Sequence, residues 1–268
     1  MSDQSRDQTP VTLDATREGV AVLRLNRPHR HNAFNPEVIE ALIEHLDEIR
    51  GTPTVRAVLL EGAGASFSAG ADIEWMKFAG DYTHAENVQD ARALADMLHK
   101  LHSLEAVTIA LVNGAAMGGG LGLIVACDVA IAVKHAEFRF SEVRLGLIPA
   151  AISPYIVKAI GPRWARMLFV TGKPFDTETA FRIGLIHGIV PDVAGLAEEA
   201  ERLVDLAMHA APGAVRDSKK LVDDVMWREV NSGLRHMTAD RIADRRASKE
   251  GKEGLAAYLE KRKPGWAE

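Results

Sequence analysis

Two short stretches gather small residues where chemistry could use the backbone rather than side chains. They are Ser68-Ala69-Gly70-Ala71-Asp72-Ile73 and Asn113-Gly114-Ala115-Ala116-Met117-Gly118-Gly119-Gly120. Each follows an apolar, strand-like run, VRAVLLEG and VTIALVNG, and the second leads into a short apolar helix ending near Ala126. Glycine loses more backbone entropy on folding than any other residue, so such a cluster needs a local reason. One is close packing against another element. The other is that main-chain N–H groups face a ligand at the start of a helix, where the first donors lack partners and the dipole end is positive. If both strands lie in one parallel sheet, the two loops open at the same edge, where ligands usually enter. Two N–H donors from separate loops, held in a water-poor cleft and aimed where negative charge develops, make an oxyanion hole. That geometry suits a thioester whose carbonyl becomes an enolate.

Other signatures fail on inspection. Gly62-Ala63-Gly64 is followed by Phe67 at the sixth place and Gly118-Gly119-Gly120 by Leu123, so neither is a dinucleotide fingerprint, and no phosphate-binding loop of the G-x-x-x-x-G-K-[ST] type occurs. Gly64-Ala65-Ser66-Phe67-Ser68 ends in serine where a nucleophile elbow needs glycine. His99 and His102 lie three apart on a predicted helix with Glu105 beyond, but no further ligand pattern joins them and no metal is expected. The basic cluster Arg27, His29, Arg30, His31 follows a strand end, where it could contact phosphate or simply face water.

The surrounding elements read as an α/β chain. GVAVLRLN (Gly19 to Asn26) alternates like a strand, and Asn35-Pro36-Glu37 reads as the cap and first turn of a helix to about Arg50. The segment GAGASFSAGAD reads as a loop, Glu86 to Ser103 as an amphipathic helix, and VAIAV as a strand; a short strand pair is expected around Phe138 to Phe140, and LIHGIVP is strand-like. Beyond that the chain turns helical, giving an expected α/β core over 1–190 and a helical region over 191–268.

At 268 residues the chain can bury a sizeable core, and 47% hydrophobic with 26% charged residues is ordinary for a globular protein. A formal net charge of −5 provides no excess of Lys and Arg for a nucleic-acid partner. Cys127 is the single cysteine, which excludes an intramolecular disulfide and fits a reducing cytoplasm. The start, MSDQSRDQTP, reads as neither a secretory signal nor a transit peptide, and no apolar run approaches the length of a membrane span.

Taken together and in order, LNRPHRHNAF, FSAGADIEWM, NGAAMGGGLGLIVACDVAIA and SEVRLGLIP resemble the enoyl-CoA hydratase/isomerase (crotonase) family, and YLEKRKPGW (Tyr258 to Trp266) is similar to that family's closing helix. The resemblance implies a crotonase-type (ClpP/crotonase-like) spiral of ββα repeats with a C-terminal helical region that serves oligomerisation and CoA contact. Trimers or dimers of trimers are implied, and no cofactor, because coenzyme A is part of the acyl-CoA substrate. It places Ala71 and Gly119 as the two oxyanion-hole donors and Glu142 as a catalytic glutamate. It places Arg30, Ala33, Ala69, Gly70, Asp72, Ile73 and Gly118 in segments that hold CoA, with Lys261 approaching the nucleotide from the closing helix.

One departure bears on mechanism. Two-glutamate hydratases of the family carry a second glutamate two residues after the glycine triplet, where this chain has Gly122. One carboxylate must then manage both water and the α-carbon proton, or the reaction is an isomerisation that a single base performs. The wording GADIEWM, GGGLGLIVACDVAIA and SEVRLGLIPAAISPY is similar to bacterial methylglutaconyl-CoA hydratases and their isoprenoid-pathway relatives, which favours hydration, with isomerisation and a non-catalytic CoA- or RNA-binding role as alternatives. A branched substrate with a second carboxylate would want a cation, and Arg139 and Arg144 flank Glu142.

Overall fold

The computed structural model describes residues 9–267. By packing, the chain divides into two compact units between Arg202 and Leu203.

In the first unit, β1 (Val11–Arg17) and β2 (Val20–Leu25) form an antiparallel pair, and α1 (Pro36–Arg50) follows. Asn35 starts α1 as the sequence predicts: its Oδ1 accepts from the Val38 N–H at 3.0 Å, and Pro36 at the first helical position has no N–H left to satisfy. Next come β3 (Ala57–Gly62), β4 (Ser66–Ser68), α2 (Ile73–Ala79) and α3 (His84–His102). Thr83 and Glu86 close a reciprocal capping box at the head of α3. The chain repeats the pattern with β5 (Val107–Val112), β6 (Ala115–Met117) and α4 (Gly119–Ala126), and again with β7 (Val129–Val133), β8 (Glu137–Arg139) and α5 (Ser153–Thr171). A last strand and helix, β9 (Phe175–Asp176) and α6 (Thr177–Ile183), precede β10 (Gly188–Val190) and α7 (Val193–His209), within which the division between units falls.

Each repeat gives one strand to each of two sheets and then a helix. The larger sheet runs β1-β2-β3-β5-β7-β10 and the smaller β4-β6-β8-β9. Consecutive repeats therefore lie side by side in both sheets, which is the crotonase spiral of ββα units. Strands β2, β3, β5, β7 and β10 are mutually parallel, and their apolar runs bury Leu23, Leu60, Ile109, Ala110, Ala132 and Val133 completely.

The sequence places no strand at β1 and no helix at α2, and the other differences from its expectations lie in the smaller sheet. A strand forms inside the expected loop GAGASFSAGAD, another opens the small-residue stretch before Gly118, and only one strand, not a pair, covers 137–139. Each of these strands is three residues long, too short for periodicity to register. They matter because β4, β6 and β8 are parallel neighbours, so the loops that leave them emerge at one edge.

The second unit holds the end of α7 with α8 (Pro212–Val225), α9 (Ser232–Ala247) and α10 (Lys249–Glu260). Glu250 ties these helices together, accepting from the Gly213 N–H at 3.0 Å while pairing with Arg245. Among the described residues no helix is long and apolar enough to cross a membrane.

Candidate active site

Successive repeats each contribute one group to a single cavity. The loop after β4 carries Ala71, the turn after β6 carries Gly119, and the turn after β8 carries Glu142; all three line a cavity of about 510 Å³.

Backbone register decides where the Ala71 amide points. Ala71 forms an isolated parallel bridge with Phe34, in which Phe34 N–H donates to Gly70 O at 2.6 Å and Asp72 N–H donates to Phe34 O at 2.7 Å. Amides alternate in direction along an extended chain, so the N–H of Ala71 is turned away from Phe34 and has no acceptor among the described residues. Gly119 opens α4, where no preceding turn supplies a carbonyl, and its N–H is likewise unpartnered within the described chain. The two loops touch: a Cβ built on Gly70 would stand 3.5 Å from the Gly119 nitrogen and 2.8 Å from Met117 O.

Glu142 begins a single 3-10 turn, Glu142–Leu145. Its Oε2 is buried without a hydrogen-bond partner among the described residues, and burial pushes its carboxyl pKa up, partly offset by its own backbone N–H. Gly118 fixes the distance of approach. Its φ of +46° and ψ of −118° suit glycine alone, and a Cβ there would lie 3.1 Å from Glu142 Oε1. The Gly118 N–H donates to Arg139 O at 3.0 Å, binding the glycine turn to the strand that delivers Glu142.

The remaining sequence-predicted residues separate into two groups. Ala69, Gly70, Ile73 and Gly118 line the cavity. Asp72, Ala33 and Arg30 do not: Asp72 is buried, capping α2 through Glu74 N–H (3.0 Å) and pairing with Arg27 at 3.1 Å, and Ala33 O accepts from the same Arg27 at 2.8 Å. Arg30 is exposed and makes a two-pronged pair with Glu74, at 3.1 and 3.0 Å. Lys261, in the second unit, ends α10 in a left-handed conformation with φ 54° and is exposed. Both arginines beside Glu142 line the cavity, each anchored to a carbonyl at the C-terminal end of α5: Arg139 Nε to Gly172 O (2.9 Å) and Arg144 to Thr171 O (3.3 Å).

Sequence reasoning missed the apolar wall. Phe34, Ile39, Met76, Leu94, Ile148 and Ile152 face the same space, together with Asp90 of α3. The four-residue spacing of Asp90, Leu94 and Leu98 marks a helix face, but only the fold shows that this face meets a cavity.

Comparison with known proteins agrees with this architecture. Residues 15–268 match the family described as enoyl-CoA hydratase/isomerase. A crotonyl-CoA hydratase of Syntrophomonas wolfei is 32% identical over 92% of this chain and 94% of its own length. A short-chain-enoyl-CoA hydratase of Clostridium acetobutylicum is 32% identical, covering 91% and 92%. Among solved structures, an enoyl-CoA hydratase from Shewanella pealeana superposes with a TM-score of 0.93 at 37% identity, covering 98% of this chain and 97% of that one. By spiral topology and by sequence alike, the chain belongs to the enoyl-CoA hydratase/isomerase family.

Proposed function

We propose that the protein hydrates the 2,3 double bond of an acyl-CoA thioester. The observation that carries this reading is the pair of unpartnered amides, Ala71 and Gly119, on touching loops in the same cavity as Glu142. The thioester oxygen accepts from both N–H groups. Glu142, as carboxylate, takes a proton from the water that attacks C3; the double-bond electrons move toward the carbonyl, and the amides hold the resulting enolate oxygen. Position 122 is glycine, so the carboxyl of Glu142 then returns a proton to C2, giving the 3-hydroxyacyl-CoA by syn addition.

Relatives named for crotonyl-CoA and short-chain enoyl-CoA support a short acyl group. A branched acyl group with a second carboxylate, of the methylglutaconyl type, is a narrower reading favoured by Arg139 and Arg144 in the cavity wall. Coenzyme A enters as part of the substrate. Ala69, Gly70, Ile73 and Gly118 contact its thioester end, Ala33 and Asp72 hold that segment in place, and Arg30 reaches toward the nucleotide, which in an assembled trimer the Lys261 of a neighbouring subunit's closing helix also approaches. Assembly as a trimer or a dimer of trimers is supported by the exposed apolar residues Leu255, Tyr258 and Leu259 of α10, which an interface would cover.

The test is a panel of crotonyl-, 3-methylcrotonyl- and 3-methylglutaconyl-CoA followed by loss of the conjugated double bond, with Glu142→Gln beside wild type. Turnover should fall by at least ~100-fold in the variant while thioester binding persists. Near-normal turnover in Glu142→Gln removes this residue from the mechanism. Conversion of a 3-enoyl thioester without hydration reassigns the protein as an isomerase.

A further inference from the structure

One face of α3 runs along the cavity. Leu98 meets the glycine helix, its Cδ1 3.4 Å from where a Cβ at Gly122 would stand. Leu94 is one turn away, and Asp90 is eight residues from Leu98, about 12 Å along the axis at 1.5 Å per residue. The cavity that Asp90 lines is walled in part by Ile39, Met76, Ala91 and Leu94. Asp90 itself is partly buried, a carboxylate on a largely apolar wall.

Nothing in the described chain neutralises it. Asp90 makes no hydrogen bond and no ion pair, and the shallow depression it borders on its other side is lined by two more acids, Glu40 and Glu44. The cations of the cavity, Arg139 and Arg144, are anchored to the carbonyls of Gly172 and Thr171. Burial raises the Asp90 pKa, the mark of a carboxyl that has lost part of its water and gained no partner.

We propose that Asp90 sets the acyl-length selectivity of this cavity, admitting short acyl groups and opposing alkyl chains long enough to cover its carboxylate. This rests on the reading that the cavity takes the acyl group of a CoA thioester. Each added methylene that finds apolar wall strengthens binding roughly fourfold. A chain that reaches Asp90 strips water from an ion with no counter-charge, which outweighs several such gains. Short acyl groups stop before that point and leave the carboxylate hydrated.

The experiment measures binding of the saturated, unreactive thioesters butyryl-, hexanoyl- and octanoyl-CoA by titration calorimetry to wild type, Asp90→Asn and Asp90→Leu. The octanoyl-to-butyryl affinity ratio should rise by about tenfold or more in Asp90→Leu and by less in Asp90→Asn, with butyryl-CoA affinity within about twofold of wild type. Asp90→Asn keeps the size of the side chain and carries the test if the leucine variant folds poorly. A ratio that does not move in either folded variant overturns the proposal, even where wild type hydrates crotonyl-CoA. A ratio that shifts in a protein that hydrates no enoyl thioester upholds Asp90 and removes the hydratase reading. Absence of binding by every acyl-CoA overturns both.

Discussion

Ile152 stands where a side chain at Gly122 would have to begin: a Cβ built on Gly122 lies 2.4 Å from Ile152 Cγ2 and 3.2 Å from Ile152 Cβ. The absence of a carboxylate at position 122 is thus enforced by packing as well as by the residue type there. Gly122→Ala should destabilise the protein by about 1–3 kcal/mol through overpacking. That loss appears despite the ~1 kcal/mol that alanine gains over glycine inside a helix. Adding Ile152→Ala should recover much of the loss, a non-additivity that urea midpoints of the four proteins measure. Additive effects would show that the two positions do not meet.

Glu142 makes the activity depend on pH with a definite sign. Burial raises its pKa, and the proposed base is the ionised form, so the acid limb of kcat/KM should lie above the ordinary glutamate value of roughly 4.3. The same shift acts on stability in the opposite sense. A carboxyl whose folded pKa exceeds its unfolded one binds more protons when folded, so stability falls as pH rises from the unfolded value through the folded one. Glu142→Gln should therefore melt at a higher temperature than wild type at pH 7, with the difference closing below about pH 4. Melting curves across that range check it.

Gly118 permits Glu142 its position, and Gly118→Ala tests that. The new methyl meets Glu142 Oε1 at 3.1 Å on a backbone whose φ of +46° and ψ of −118° side chains avoid. The strain amounts to about 1–3 kcal/mol, and a displaced carboxylate should lower kcat by roughly tenfold to a hundredfold with a smaller change in thioester affinity. Steady-state kinetics beside calorimetric binding separates the two.

Asp72 supports the cavity from behind. Its carboxylate caps α2 and pairs with Arg27, with side-chain exposures of 7% and 16%, so Asp72→Ala leaves a nearly buried guanidinium unpaired. A loss of about 3–5 kcal/mol is expected. Because α2 carries Trp75 and Met76 into the cavity wall, KM should rise as well. Asp72→Asn, which keeps an acceptor for the Glu74 N–H, should retain more of the helix cap than alanine does. Denaturant unfolding and KM measured on all three proteins decide it.

How far the sequence reveals this molecule follows from element length. The runs that became β2, β3, β5 and β7, and the Asn35 cap of α1, carry periodicity and capping signals strong enough to place them. Strands β4 and β6, at three residues each, do not, and β8 registers only as part of an expected pair around 138–140, yet it is the shared edge of the three that brings Ala71, Gly119 and Glu142 together. The Asp90 carboxylate and the Ile152 methyl are equally silent in one dimension, since each acquires its meaning from a residue that only the fold brings beside it, Ile39 for the first and Gly122 for the second.

The Phe34 bridge has one further result. Which amide faces the cavity is settled by odd or even count along the loop, and the side chain at 71 has no part in it. Substitutions at that position other than proline leave the donor in place, whereas deleting or inserting a single residue between Ser68 and Asp72 would present a carbonyl where a hydrogen should be. The reading frame of that short turn is therefore under tighter constraint than its chemistry.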